Sequence, residues 1–125
     1  MIKLILLALI AFLAYRFFKL MIPVRGLRVL KPLQFEEEMR RDGYMLVDVR
    51  EPREFQRGYI AGAVNIPLSQ LQRRIGEIPQ KEPVYLYCQS GVRSKQAAAV
   101  LRRNGCIYLA HLSGGMKVWE GPMTR

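Results

Sequence analysis

One stretch of this sequence concentrates groups that could do covalent chemistry: Cys88-Gln89-Ser90-Gly91-Val92-Arg93-Ser94. A thiolate is a nucleophile where a thiol is not. Cys88 closes an apolar, β-branched and aromatic run, Pro83–Cys88, and stands just before a run with helical spacing. A sulfur between a strand end and a helix N-terminus meets unpaired N–H groups and a partial positive charge. Arg93 adds a full charge, and Gly91 permits the backbone angles that turn successive N–H groups inward as an anion-binding nest. Each effect favours the thiolate, and the same cradle would hold the anionic part of a substrate. A lone cysteine in an α/β chain is ordinarily a small core residue. The strand-end position, the glycine and the basic residue together turn the reading of Cys88 to function. Cys106, between Gly105 and Ile107 with no basic loop after it, reads as core.

Other constellations are poorly supplied. His111 is the only histidine, and a Cys–His dyad would need it to fold back onto Cys88. A single loop histidine is more often structural or merely exposed. Two cysteines and one histidine without metal-like spacing make no zinc site, and there is no P-loop or G-x-G-x-x-G.

The elements that must position the loop can be read from periodicity. Tyr44–Val49 reads as a buried strand and Pro83–Cys88 as the clearest one. Ala63–Ile66 and Cys106–Leu109 are shorter strand candidates. Arg93–Arg103 is the clearest helix, with Ala97, Val100 and Leu101 on one face and Asn104-Gly105 closing it. Phe35–Arg41 reads as a helix with acids first and bases last, matching the helix dipole. Glu51–Arg57 reads as one or two turns opened by Pro52, and Ser69 caps a helix to about Ile75. Gly115–Glu120 reads as a last turn. Strands alternating with helices predict an α/β fold with a mainly parallel sheet flanked by helices. Such sheets bind ligands beyond the carboxyl ends of their strands, where Cys88 stands.

The chain of 125 residues is long enough for one domain and too short for two. Its net charge of +10 is unevenly placed: Lys3, Arg16, Lys19, Arg25, Arg28 and Lys31 all precede the first acid, Glu36, leaving +4 beyond them. No aromatic-interleaved basic stripe is present, so the excess is read as facing anionic lipid headgroups and not nucleic acid. Two cysteines without C-x-x-C argue for reduced thiols and not a disulfide framework.

Ile2–Ile22 is apolar apart from Lys3, Arg16 and Lys19. As a helix it would reach roughly 30 Å, about one hydrocarbon core. A cleaved signal peptide and an uncleaved anchor compete for residues 1–22. The anchor is favoured, because no A-x-A-like site follows the run and most of the positive charge lies after it. The positive-inside tendency then places the rest of the chain on the cytoplasmic side of a single-pass membrane protein. Residues 23–29 read as a basic linker and 30–125 as the globular domain.

Four blocks in order resemble those of rhodanese-like sulfurtransferases across about Leu30–Gly121. They are Leu46-Val47-Asp48-Val49-Arg50-Glu51, Gly58-Tyr59-Ile60-Ala61-Gly62-Ala63-Val64-Asn65-Ile66-Pro67, the Tyr87–Ser94 loop, and Leu112-Ser113-Gly114-Gly115-Met116-Lys117-Val118-Trp119. The resemblance implies the rhodanese-like three-layer fold and a cofactor-free transfer. In it the Cys88 thiolate takes the outer sulfur of a small anionic donor such as thiosulfate. A persulfide forms within the N–H groups of Gln89, Ser90, Gly91, Val92 and Arg93, and passes to cyanide or a thiol. Arg93 would help hold the donor, while Asp48, Arg50 and Ser94 would support the site. Tyr59 stands where the family usually has His, which implies altered local hydrogen bonding. Gly114-Gly115 and Trp119 read as a tight turn and a packed aromatic. Two rivals remain: a phosphatase or arsenate reductase of related fold, which uses C-x5-R where this chain has C-x4-R, and a non-catalytic interaction module at the membrane.

Overall fold

A computed structural model describes all 125 residues. Helix α1 (Ile2–Met21) is followed by β1 (Leu27–Leu30), α2 (Pro32–Glu38), β2 (Met45–Asp48), α3 (Pro52–Gln56), β3 (Tyr59–Ile60) and β4 (Val64–Asn65). Then come β5 (Val84–Tyr87), α4 (Val92–Arg103), β6 (Leu109–Leu112) and β7 (Met123–Thr124). Five strands form one sheet in the order β1-β6-β5-β2-β4, every neighbouring pair parallel. β3 and β7 form a small antiparallel ribbon beside it. The α/β fold with a parallel sheet and flanking helices is therefore the observed architecture.

Strand alternation divides the core into two layers. Val84, Leu86 and Cys88 point to the face covered by α4, with Ala97, Ala98 and Leu101 above them and Leu71 and Ile78 alongside. Tyr85 and Tyr87 point to the other face, against Phe35 of α2, Ile60 and Trp119. The aromatic rings there meet edge-on: Phe35 lies 5.5 Å from Tyr85 and 5.9 Å from Trp119. Burying each such side chain contributes about 1.5–3 kcal/mol, so either layer alone would be a modest core.

Several elements differ from the sequence reading. The first domain helix begins at Pro32 and not Phe35, so Glu36, Glu37 and Glu38 fall at its end. Glu38 faces the wrong pole of that short helix, and instead takes a two-pronged pair from Arg28 and the Tyr85 hydroxyl. The helix expected from Ser69 is two 3₁₀ turns, Leu68–Gln70 and Ile75–Glu77, and the Ser69 hydroxyl donates to Glu51 rather than capping. The last sheet strand is Leu109–Leu112 and not Cys106–Leu109. Residues 104–106 are consumed in closing α4: Gly105 N–H bonds Arg102 O and Cys106 N–H bonds Leu101 O, a Schellman ending with Gly105 at φ +93°. Cys106 stays buried, as read, and burial pushes its thiol up. Residues 27–29 of the basic linker segment lie in β1, which pairs with β6 at the sheet edge.

The Gly114-Gly115 turn holds the active-loop backbone. Met116 N–H donates to Cys88 O at 2.9 Å and Lys117 N–H to Gln89 O at 3.2 Å. Gly115 sits at φ +63°, and a Cβ there would overlap the Cys88 carbonyl oxygen and the Gln89 carbonyl. Gly115→Ala is expected to lower unfolding free energy by about 3 kcal/mol or more in detergent denaturation. Gly76→Ala, in open space with ordinary backbone angles, should change it by less than about 0.5 kcal/mol.

Candidate functional site

β5 ends at Tyr87, and Cys88 follows as the last inward position of its face. The chain must then reverse into α4 within three residues. Gly91 makes that turn at φ +99° as the residue preceding α4. In this conformation its N–H points back at the sulfur, donating to Cys88 Sγ at 3.0 Å. The N–H groups of Gln89, Ser90, Val92, Arg93 and Ser94 make no hydrogen bond within the protein. Ser90 and Val92 are exposed and Gln89 is half-buried, so the rim of the loop faces solvent while Cys88 itself lies beneath it, fully buried. The loop thus presents a row of free donors above one sulfur.

The other expected residues fall into three groups. Asp48 and Arg50 form a buried ion pair, with Arg50 Nη2 2.7 Å from Asp48 Oδ2. Arg50 also donates to Gly58 O at 2.7 Å and to Gln89 Oε1 at 3.4 Å. It therefore ties the end of β2 to the loop without reaching the sulfur. Stranding either charge in this dry setting would be costly, so the pair holds its geometry firmly. Tyr87 extends the brace: its hydroxyl accepts Ile60 N–H at 3.0 Å, and burial pushes its phenol up.

Arg93 stands at the loop's far side, but its guanidinium is engaged. It makes a two-pronged pair with Glu54 of α3, at 2.6 and 2.8 Å. The Arg93 guanidinium, helped by the Glu51 N–H, pulls the Glu54 carboxyl down to about 2. Arg93 still contributes its positive field beside Cys88, while its hydrogen-bonding fork is directed at Glu54. Tyr59, in place of the family's usual His, stacks on Phe55 with ring centroids 3.9 Å apart and planes 11° from parallel.

Ser94 and His111 carry more than the sequence reading assigned. Ser94 is fully buried, with its Oγ 3.6 Å from Cys88 Sγ, 3.1 Å from Gly91 O and 2.8 Å from His111 Nδ1. His111 is not a surface loop residue: it sits in β6 beside Leu86, 5% exposed, and contacts Cys88 only through Ser94. Burial, with Lys95 nearby, lowers its imidazole to about 4. Glu54 was also missed. Strand parity could have found His111, had the last strand been placed at Leu109–Leu112; no spacing signal marks Glu54.

The Glu54–Arg93 pair has a definite acid signature. Glu54 is held ionised below its ordinary range, so its contribution is complete above about pH 4.5 and is lost as pH falls toward about 2. With the pair about one-third exposed and screened, the loss should be on the order of 1–2 kcal/mol. Denaturation midpoints measured from pH 5 to 2 should fall accordingly, and Glu54→Gln should flatten that part of the curve.

Known proteins share this architecture. A family profile described as the Rhodanese-like domain matches residues 31–122. The protein YqhL of Bacillus subtilis (strain 168) is 51% identical over 116 residues, covering 90% of each chain. A sulfurtransferase of Allochromatium vinosum is 40% identical over 75 residues, 60% of this chain and 70% of that one. The crystal structure of a rhodanese-related protein from Thermoplasma volcanium superposes with TM-score 0.70 at 28% identity, covering 78% of this chain and 97% of that one. With a parallel sheet that delivers a cysteine into a loop of free amides, and a profile match across most of its length, this chain belongs to the rhodanese-like domain family.

Proposed function

We propose that this protein is a sulfurtransferase that carries sulfane sulfur as a persulfide on Cys88. The observation that carries this reading is the Gly91 N–H aimed at Cys88 Sγ at 3.0 Å, within a loop whose neighbouring amides are unpaired. Donors held in place stabilise an anionic sulfur without reorganising when it forms. In the first step the Cys88 thiolate attacks the outer sulfur of thiosulfate; the S–S bond to the sulfonate breaks and sulfite leaves with its electron pair. The product is a Cys88 persulfide anion. In the second step cyanide or a thiolate attacks the outer sulfur, and the Cys88–sulfur bond breaks to regenerate the thiolate. The sulfur added to Cys88 extends the anion toward the free N–H groups of Gln89, Ser90, Val92 and Arg93. Covalent storage divides one transfer into two displacements, so ping-pong kinetics follow. Asp48 and Arg50 brace the loop through Gln89, and Ser94 lies against the sulfur.

The domain is held at a membrane by α1 in this reading. All twenty residues of α1 are exposed, and it is long and apolar enough to cross a bilayer. A cavity of about 420 Å³ between the end of α1 and α4 is lined by Arg16, Lys19, Lys95 and Arg103 with no acid among its walls. Lys95 Nζ also donates to Leu20 O at 2.5 Å. Cations gathered where the apolar helix ends suit the headgroup layer of an anionic leaflet, which favours an uncleaved single-pass anchor with the domain on the cytoplasmic side.

Thiosulfate treatment of the full chain should add one sulfur atom to the Cys88 peptide by mass spectrometry, and Cys88→Ser should show none. Phosphate-ester hydrolysis that depends on Cys88, without sulfur uptake, would overturn the assignment. The intact chain should resist alkaline extraction from membranes, with the domain open to protease only from the cytoplasmic face. Recovery of a shortened soluble form on the opposite side would reverse the topology.

A further inference from the structure

Cys88, Ser94 and His111 lie in one continuous contact on the α4 face of the sheet. β5 and β6 are in register at Leu86 and His111, and the two-residue repeat carries Cys88 to the same side as His111. Ser94, in the first turn of α4, drops its hydroxyl between them, 3.6 Å from the sulfur and 2.8 Å from Nδ1. Cys88 and Ser94 are buried, and the hydrogen-bonded route from the thiol toward solvent runs through Ser94 to His111. His111 Nε2 makes no protein hydrogen bond, yet no buried side-chain nitrogen or oxygen in the molecule lacks a partner. That nitrogen therefore reaches solvent, and the ring borders a cavity of about 180 Å³ shared with Ser90, Gly91, Lys95 and Ser113.

We propose that Ser94 and His111 are positioning residues that convey the Cys88 proton to this cavity by a tautomer exchange of the imidazole. In the thiol state, Cys88 S–H donates to Ser94 Oγ, Ser94 O–H donates to His111 Nδ1, and His111 carries its proton on Nε2. On ionisation the sulfur's proton passes to Ser94 Oγ, the hydroxyl's own proton passes to Nδ1, and the Nε2 proton leaves to water. One proton is released and the sulfur keeps the electron pair. The thiolate then accepts from Ser94 O–H and Gly91 N–H, and the ring is neutral throughout. A neutral ring is what the site requires, because burial opposes the imidazolium and holds it down to about 4. The charged groups that face this chain of contacts are Arg93 and Lys95 on α4, Asp48 at the end of β2 and Arg50 just after it, and Glu54 on α3. Asp48, Glu54 and the two arginines are paired with one another, so the three-residue contact is the one left to rearrange its protons.

This inference deepens the persulfide reading, but its test does not depend on sulfur transfer. His111 is the only histidine, so ring ¹⁵N labelling of the full chain in detergent micelles gives one imidazole to observe. As pH rises through the ionisation of Cys88, followed independently by its alkylation rate, the ring should change from the Nε2–H to the Nδ1–H tautomer. Cys88→Ser and Ser94→Ala should each abolish that change, and Ser94→Ala should slow alkylation near neutral pH about tenfold. His111→Asn, which keeps a polar atom near Nδ1 but has no second tautomer, should move the alkylation midpoint upward; an unchanged midpoint indicates a merely structural histidine. A wild-type ring that keeps one tautomer while Cys88 ionises overturns the proposal, whether or not the variants fold. Failure of thiosulfate to label Cys88, with the tautomer change intact, would instead count against the sulfurtransferase reading alone.

Discussion

The Gly91 N–H, 3.0 Å from Cys88 Sγ, is the contact on which the rest of the site depends. It exists because the chain reverses from β5 into α4 at one residue with φ +99°. A side chain at that position would be strained, and the amide would turn away from the sulfur. The same reversal leaves the N–H groups of the following residues without partners, since the first turn of α4 has no preceding carbonyls to bond. A strand that ends, a helix that begins and one glycine between them therefore create both the seat of the sulfur and its surrounding donors.

That seat is held from three directions. Met116 and Lys117 grip the carbonyls of Cys88 and Gln89 from below, at a separation only Gly115 permits. The buried Asp48–Arg50 pair reaches Gln89 from the β2 side. Glu54 secures Arg93, at the start of α4, from α3. The charged side chains around the sulfur are thus mostly committed to one another. What the loop offers an incoming anion is main-chain N–H, which carries no counter-charge to be displaced and cannot swing away.

α1 obeys a different physics from the domain. It buries none of its residues against the protein, whereas α2 buries Phe35 and α4 buries Ser94, Ala97, Ala98 and Leu101. Its twenty exposed, mostly apolar residues make it long and apolar enough to cross a bilayer. The positive residues at its end meet α4 near Lys95, so α1 and the helix that follows Cys88 share a boundary.

The parallel α/β fold, the strand before Cys88, the α4 helix and the nest loop were legible in the sequence. Each is decided locally: β-branched and aromatic alternation over Pro83–Cys88, helical spacing over Arg93–Arg103, and a glycine where the backbone must turn left-handed. The apolar character of residues 2–22 is likewise a matter of composition. Tertiary structure decided what depends on register and on partners distant in the chain. Whether β6 begins at Cys106 or Leu109 is settled by pairing with β1 and β5, and that shift brings His111 under α4 beside Ser94. Glu54 reaches Arg93 across thirty-nine positions, a contact that no short-range pattern encodes. Chain-local preferences choose the elements, but long-range packing chooses which side chains share a site, because only the assembled sheet sets their register and excludes the water between them.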